Sequence, residues 1–530
     1  MTTQLPALAP LEVQHHDDPK VVKEAATEDY TTHVVPLSWR MPRPSLAMSF
    51  YALVSGMFYL VTAATLAATV GTTDALIGIV LACAAFGALG YAFSRYAART
   101  GLTVALMSQR IFGTSGSLLG ALVLAATAIY YAVFESSMIA NAFHVAFPQL
   151  SLALWSAIAV AINLPLVMGG IRRWMDKYNA ILLPVYWIGL MVVVVMLAMR
   201  NDSSGWLAHP PQEGADFAAP GWLYAFFVYL GVLVLMMFTV DFARFGKPEQ
   251  ARSNGIAVFG PVFYAFVYLA NGLIGIFIAY SAGLDGAVSS ELVGNTMVSL
   301  LGGWGLFLVW VTQARINTAN FYVASTNMEA LVFRLFRVRV PRVAAVLFCG
   351  AITYVFMLTD VVSYLLVALA WQGAFIASWV GVALVHLVRT WNTSELEEFR
   401  AGRVRRFTWN GAVWVATSLL GILLYQFGGA FGAAWSTPIT LVLAIVLAAV
   451  VDRTGRGGLL RRAHDPRAEV DDPWEARVRC HVCDHSYVAV EMDRDPSTEG
   501  QPPICAACGV LSTAYLQASR REHAALTAAG

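Results

Sequence analysis

Residues 117–143 read SLLGALVLAATAIYYAVFESSMIANAF, an apolar run long enough to cross a bilayer, with one carboxylate, Glu135, set deep inside it. A helix needs about 20 apolar residues to span the hydrocarbon, where backbone groups must be satisfied within the segment. Comparable runs recur on both sides, for example at 75–93 and 181–198. The chain is 58% hydrophobic and only 13% charged, where a soluble domain carries about a quarter charged residues. Water is not the solvent of most of this protein.

The pattern predicts an all-α polytopic membrane protein with twelve transmembrane helices, at 46–71, 75–95, 117–143, 151–169, 178–199, 221–241, 256–281, 293–315, 341–358, 361–387, 409–427 and 434–452. Lys and Arg collect in cytoplasmic loops. Arg95, Arg99 and Arg110, then Arg172, Arg173 and Lys177, then Arg334, Arg337, Arg339 and Arg342 follow even-numbered spans, whereas loops after odd-numbered spans hold essentially Arg200 alone. Both termini are therefore expected on the cytoplasmic side of the plasma membrane. Residues 1–44 lack the apolar core of a signal peptide and read as a cytoplasmic arm, largely disordered; 45–452 form the membrane domain. The formal net charge of +1, with basic residues accounted for by topology, leaves no footprint for nucleic acid.

Ionisable side chains inside spans are costly and face a cavity or each other, so they point to function. Glu135 in the third span, Asp241 at the cytoplasmic end of the sixth and Arg315 late in the eighth stand out. Asp74, after Thr72 and Thr73, reads as a helix cap, and Asp360 and His386 as interfacial residues. Ser55-Gly56, Gly231 and Pro261 interrupt the first, sixth and seventh spans. In secondary transporters such breaks free backbone groups for substrate and ions, although glycine also serves close helix packing.

Several motifs in order carry a resemblance. Thr100-Gly101-Leu102-Thr103 precedes Arg110-Ile111-Phe112-Gly113-Thr114-Ser115-Gly116-Ser117; Asp241-Phe242-Ala243-Arg244-Phe245 ends the sixth span; Gln313-Ala314-Arg315-Ile316-Asn317 ends the eighth. Gly169-Gly170 with Asn179 and Pro184, and Phe407-Thr408-Trp409-Asn410, add weaker agreement. Over residues 34–450 the chain resembles the nucleobase:cation symporter-1 family of cytosine, purine, hydantoin and allantoin permeases. The resemblance implies a leucine-transporter-like core of two inverted five-helix repeats plus two extra helices. A small planar nitrogen heterocycle would bind at mid-membrane between spans 1, 3, 6 and 8. It places Tyr131 as the stacking aromatic and Glu135 as the hydrogen-bonding group, with Phe134, Ser55, Gly56, Gly231, Val232, Asn317 and Asn320 nearby.

Two departures matter. The aromatic that the resemblance implies opposite Tyr131 is replaced by Val232, so either the ligand is not a simple nucleobase or another aromatic, such as Phe227 or Tyr229, fills the gap. Where sodium-coupled members offer adjacent hydroxyls, this chain has Arg315-Ile316; guanidinium supplies only donors, so sodium coupling is not expected and Arg315 stands in for the cation. The alternative is that Arg315 snorkels to the cytoplasmic surface. Glu135 or Asp241 could carry a proton instead. Asp241 with Arg244 could also form an i,i+3 pair, which makes its role gating or architecture.

After residue 452 the composition turns charged. A linker, 453–479, carries Arg453, Arg456, Arg461, Arg462, Asp471 and Asp472; a zinc-ribbon-like module, 480–515, and a short tail, 516–530, follow. Cys480, Cys483, Cys505 and Cys508 have the C-x2-C-x21-C-x2-C spacing of paired knuckles, the pattern of a structural zinc site. Disulfides compete, but a cytoplasmic location argues against them. His481 and His485 are spare ligands, and Cys83 and Cys349 read as packing residues. The module would regulate, dock a cytoplasmic protein, or cap the fold. The function expected is a secondary transporter importing the heterocycle by alternating access; the alternative is a receptor signalling through the zinc module. No nucleophile and base pair in the spans suggests an enzyme.

Overall fold

The computed structural model describes residues 8–169, 175–212, 217–284, 290–359, 365–454 and 458–529. Gly170, Arg172, Arg173, Asp360 and Arg456, which enter the sequence argument above, lie outside the described residues. The long apolar runs are helices, as continuous burial of backbone in hydrocarbon requires. After the short helix α1 (Pro19–Glu28), the first apolar run is split into α2 (Arg43–Phe50), a 3-10 turn at Tyr51–Ser55, and α3 (Met57–Val70), bent by 44°. Then come α4 (Thr72–Thr100), α5 (Val104–Phe112), α6 (Gly116–Ala146), α7 (Leu152–Val167) and α8 (Asp176–Arg200). The sixth run is also broken, into α9 (Gly221–Leu230) and α10 (Val234–Ala243), again by 44°. The seventh runs through α11 (Ala251–Ala257), α12 (Pro261–Tyr264), a π-helical stretch at Ala265–Ala270, and α13 (Asn271–Ser281).

The eighth run departs from expectation. Instead of one helix at 293–315, α14 (Ser290–Leu301) ends at Gly302, whose φ of 57° and ψ of −128° suit glycine alone, and α15 (Gly303–Phe336) follows. Arg315 therefore lies well inside a long helix, not near its end. The hydropathy of α15 drops after Trp310 because Gln313, Arg315, Asn317, Asn320, Asn327 and Glu329 are polar, yet all six are buried. This helix runs through the bundle's centre, with α6 as its most extensive partner, rather than along lipid. Next are α16 (Arg342–Met357), α17 (Leu365–Arg389), α18 (Trp409–Phe427) and α19 (Gly429–Arg453). Among the described residues, seven helices are long and apolar enough to cross a membrane, nine if each bent pair is one span; α7 and α16 are apolar but shorter. The chain is a multi-pass membrane protein.

The terminal segments differ from the arm and linker expected. Residues 8–44 are folded against the rest of the protein: β1 (Val13–Gln14) pairs antiparallel with β2 (Arg477–Arg479), which pairs with β3 (Ser486–Val488). Val34 and Val35 are buried. An arm with too little apolar surface to fold alone is ordered because two larger bodies flank it. The expected linker is equally tied down, with Arg400 bonded to Asp465, Arg462 to Glu522, and Leu460 N donating to Arg403 O. A second hairpin, β4 (Asp493–Arg494) with β5 (Pro503–Ile504), and helices α20 (Ala506–Leu511) and α21 (Thr513–Ala528) complete the tail.

Candidate functional site

A narrow cavity with room for about 20 Å³ lies between the two broken runs and helices α6 and α15, far tighter than the roughly 300–1,000 Å³ that small-ligand sites occupy. Each wall follows from the local sequence. The 3-10 turn and Gly56 swing the first run so that Leu53, Phe58 and Tyr59 face inward. In α6, Tyr131 and Glu135 are four residues apart and share a face, so both reach the cavity. The break after Leu230 turns Val232, Val234, Leu235 and Phe238 toward it, and α15 adds Ile316 and Asn320.

Glu135 is 1% exposed, and its Oε2 has no hydrogen-bond partner among the described residues. A buried carboxylate oxygen left unmet is costly unless something else satisfies it. Gly56 stands beside it, where a Cβ would meet Ile316 Cδ1 at 2.5 Å and Glu135 Oε1 at 3.5 Å. A side chain at this position would fill the space next to the carboxylate. Apart from Asn320, the remaining walls are apolar or aromatic, with Phe58 edge-on to Tyr131 at 6.4 Å.

Of the residues singled out in sequence, Tyr131, Glu135, Val232 and Asn320 line the cavity and Gly56 borders it. Phe134 does not, because it lies about 100° around the helix from Glu135. Ser55 and Asn317 are one layer back: Ser55 Oγ donates to Thr312 O at 3.0 Å, and Asn317 Nδ2 to Ser136 Oγ at 3.0 Å. Gly231 shapes the break without reaching the cavity. Phe227 and Tyr229 do not supply the opposite wall; Phe227 meets Trp435 and Tyr229 meets Tyr268. Phe238, Phe58 and Tyr59 are the aromatics that line the cavity beside Tyr131, and nothing marks them in sequence among other aromatics of apolar runs.

Arg315 is fully buried and does not snorkel. Its Nη2 donates to Tyr51 O at 2.9 Å, in the 3-10 turn of the first run, and its guanidinium lies 6.0 Å from the Tyr186 ring centre. Nε and Nη1 have no hydrogen-bond partner among the described residues. Tyr186 in turn donates to Asn271 Oδ1 at 2.6 Å, and Asn271 Nδ2 to Val54 O at 2.7 Å. A cation thus sits on one backbone carbonyl, Tyr51 O, at the bend of the first run. Asp241 is also buried, but its carboxylate accepts from Val104 N and Asn327 Nδ2, each at 2.9 Å. Arg244 reaches only the backbone oxygen of Asp241, at 3.1 Å, and not its carboxylate. Asp241 therefore joins α10 to the start of α5 and to α15, one turn from Phe238 but outside the cavity.

In the tail, the four cysteine Sγ atoms lie within 4.8 Å of one another. Cys483 Sγ is 4.0 Å from Cys505 Sγ, near the roughly 3.8 Å that tetrahedral zinc with 2.3 Å Zn–S bonds sets and far from a disulfide. Cys505 N and Cys508 N point at Cys480 Sγ and Cys505 Sγ, both at 3.4 Å, as donors that favour thiolate. This donor set fits a thiophilic divalent ion.

No protein-family model matches the chain, and no curated protein matches it in sequence. Solved structures do. Mhp1, a nucleobase-cation-symport-1 family transporter, in a closed conformation with bromovinylhydantoin bound, superposes with a TM-score of 0.61 at 16% identity, covering 80% of this chain and 96% of that one. Its inward-facing conformation gives the same TM-score and identity over 92% of its length. A Na+-coupled sialic acid symporter matches at a TM-score of 0.55 and 12% identity, covering 82% of this chain and 92% of its own. The chain shares its fold with these proteins.

Proposed function

We propose that this protein is a secondary transporter that moves a small planar nitrogen heterocycle across the membrane by alternating access. The observation that carries this is the cavity itself: a flat aromatic, Tyr131, and a buried carboxylate with a free oxygen, Glu135, face one small apolar space between broken helices. A ring face stacks on Tyr131, while ring N–H or amino groups donate to Glu135. That such a cavity sits in a fold shared with a hydantoin-binding transporter supports the same ligand class. The twelve-span topology with cytoplasmic termini belongs to this proposal, as do the zinc ion at Cys480, Cys483, Cys505 and Cys508 and a proton carried by Glu135. Initial uptake of labelled cytosine, adenine, hypoxanthine, uracil, hydantoin and allantoin into proteoliposomes tests it: at least one compound accumulates saturably. Saturable stabilisation by a ligand without flux would favour a receptor instead.

Arg315 occupies, by this proposal, the place of a coupling cation. Sodium needs oxygen ligands, and the Tyr51 carbonyl at that position is already met by the guanidinium. Uptake is expected to change less than twofold when sodium is replaced by choline. Strong stimulation by sodium would show that Arg315 does not stand in for the ion.

A further inference from the structure

The folded N-terminal arm lies between the cysteine module and one end of the helix bundle, and each contact with it is specific. On the module side, Val34 N donates to Glu491 Oε2 at 2.8 Å, His33 Nδ1 meets Glu491 Oε1 at 2.7 Å, and the His33 ring stacks on Tyr487 at 4.0 Å with planes 9° apart. Ser486 N donates to Asp18 Oδ2 at 2.9 Å, and Arg477 pairs with Asp17 at 2.8 Å. On the bundle side, Thr31 Oγ1 donates to Glu329 Oε2 of α15 at 2.9 Å, and Arg244, just past α10, donates to Tyr30 O at 3.3 Å. Val35 N reaches Gly101 O, after α4, at 3.2 Å. The arm thus joins α10 and α15, the same two helices whose Phe238 and Asn320 line the cavity. These helices cannot separate at this end while the arm spans them.

What holds the arm is the module, and the cysteines hold the module. Cys480 follows β2 directly, Cys483 sits in the turn before β3, and Cys505 follows β5. The β2–β3 hairpin presents both the edge that pairs with β1 and the Tyr487 ring that stacks on His33. A segment this short lacks the core to hold that shape without a cross-link. We infer that a thiophilic divalent metal, zinc by its donor set, bound at Cys480, Cys483, Cys505 and Cys508, latches the N-terminal arm across the bundle and keeps the transport path closed at that end. The inference rests on the transporter function for its consequence, but its structural content does not.

Hydrogen exchange on the purified full chain, loaded with zinc and then stripped with a strong chelator, tests it without any substrate. The zinc-loaded protein should hold one ion per chain. On stripping, amides at 28–35 should exchange at least tenfold faster, as should those at 240–246, at the end of α10, and at 322–330, in the second half of α15, and zinc should restore both. Glu491→Gln, which leaves all four cysteines in place, should retain the metal yet speed exchange at 33–35. Failure to hold zinc, arm exchange indifferent to it, or a freed arm with unchanged α10 and α15 would each overturn the latch. An absence of heterocycle uptake would bear only on the transporter function.

Discussion

Arg342→Ala is expected to cost about 3–5 kcal/mol of stability, the range for removing one partner of a buried ion pair and leaving its counter-charge behind. Arg342 is fully buried. Its Nε bonds Glu329 Oε1, its Nη1 lies 3.5 Å from Asp29 Oδ2, and its Nη2 donates to Glu28 O at 3.1 Å. Losing it strands the Glu329 carboxylate in the bundle with the Thr31 hydroxyl as its other polar contact. Unfolding of the purified protein in a mixed-detergent titration measures the loss. A change under about 1 kcal/mol would mean that the cluster is not held by charge, and the double variant Arg342→Met with Glu329→Gln should recover part of the deficit.

Tyr131→Ala is expected to weaken heterocycle binding roughly 5- to 150-fold, since stacking of a base on an aromatic side chain is worth about 1–3 kcal/mol. Tyr131→Phe keeps the ring face and should stay within about threefold of the parent. Glu135→Ala is expected to cost about as much or more, because a hydrogen bond to a charged group contributes about 1.5–3 kcal/mol and the ligand's donor is then left unmet. Glu135→Gln should leave folding intact while flattening the pH dependence of uptake. An unchanged pH profile would remove the proton role from Glu135. Competition binding against a labelled ligand separates these cases, since neither substitution touches the ion-paired contacts that hold the bundle.

Much of the site could be read in the sequence because a charge in an apolar run is conspicuous. Glu135 and Arg315 stand out on cost alone, and Ser55-Gly56 and Gly231 mark helices that do bend, each by 44°. Three things could not be read so directly. The boundary of α15 is not legible because hydropathy cannot tell a polar helix at the centre of a bundle from a loop; Gly302-Gly303 is the local signal for it. Phe58, Tyr59 and Phe238 carry no such mark, because an aromatic in an apolar run looks the same whether it faces lipid, core or cavity. The order of the arm comes from Glu491 and Glu329, far away in the chain, and no composition of residues 8–44 encodes those partners.

Equilibrium binding of a labelled heterocycle panel to the purified protein, with Tyr131→Ala and Glu135→Ala measured alongside, tests the central cavity most directly. At least one compound should bind saturably, at about one per chain, and both substitutions should weaken it by fivefold or more. Saturable binding that neither substitution alters, or none by any member of the panel, would contradict the assignment of this cavity as the substrate site.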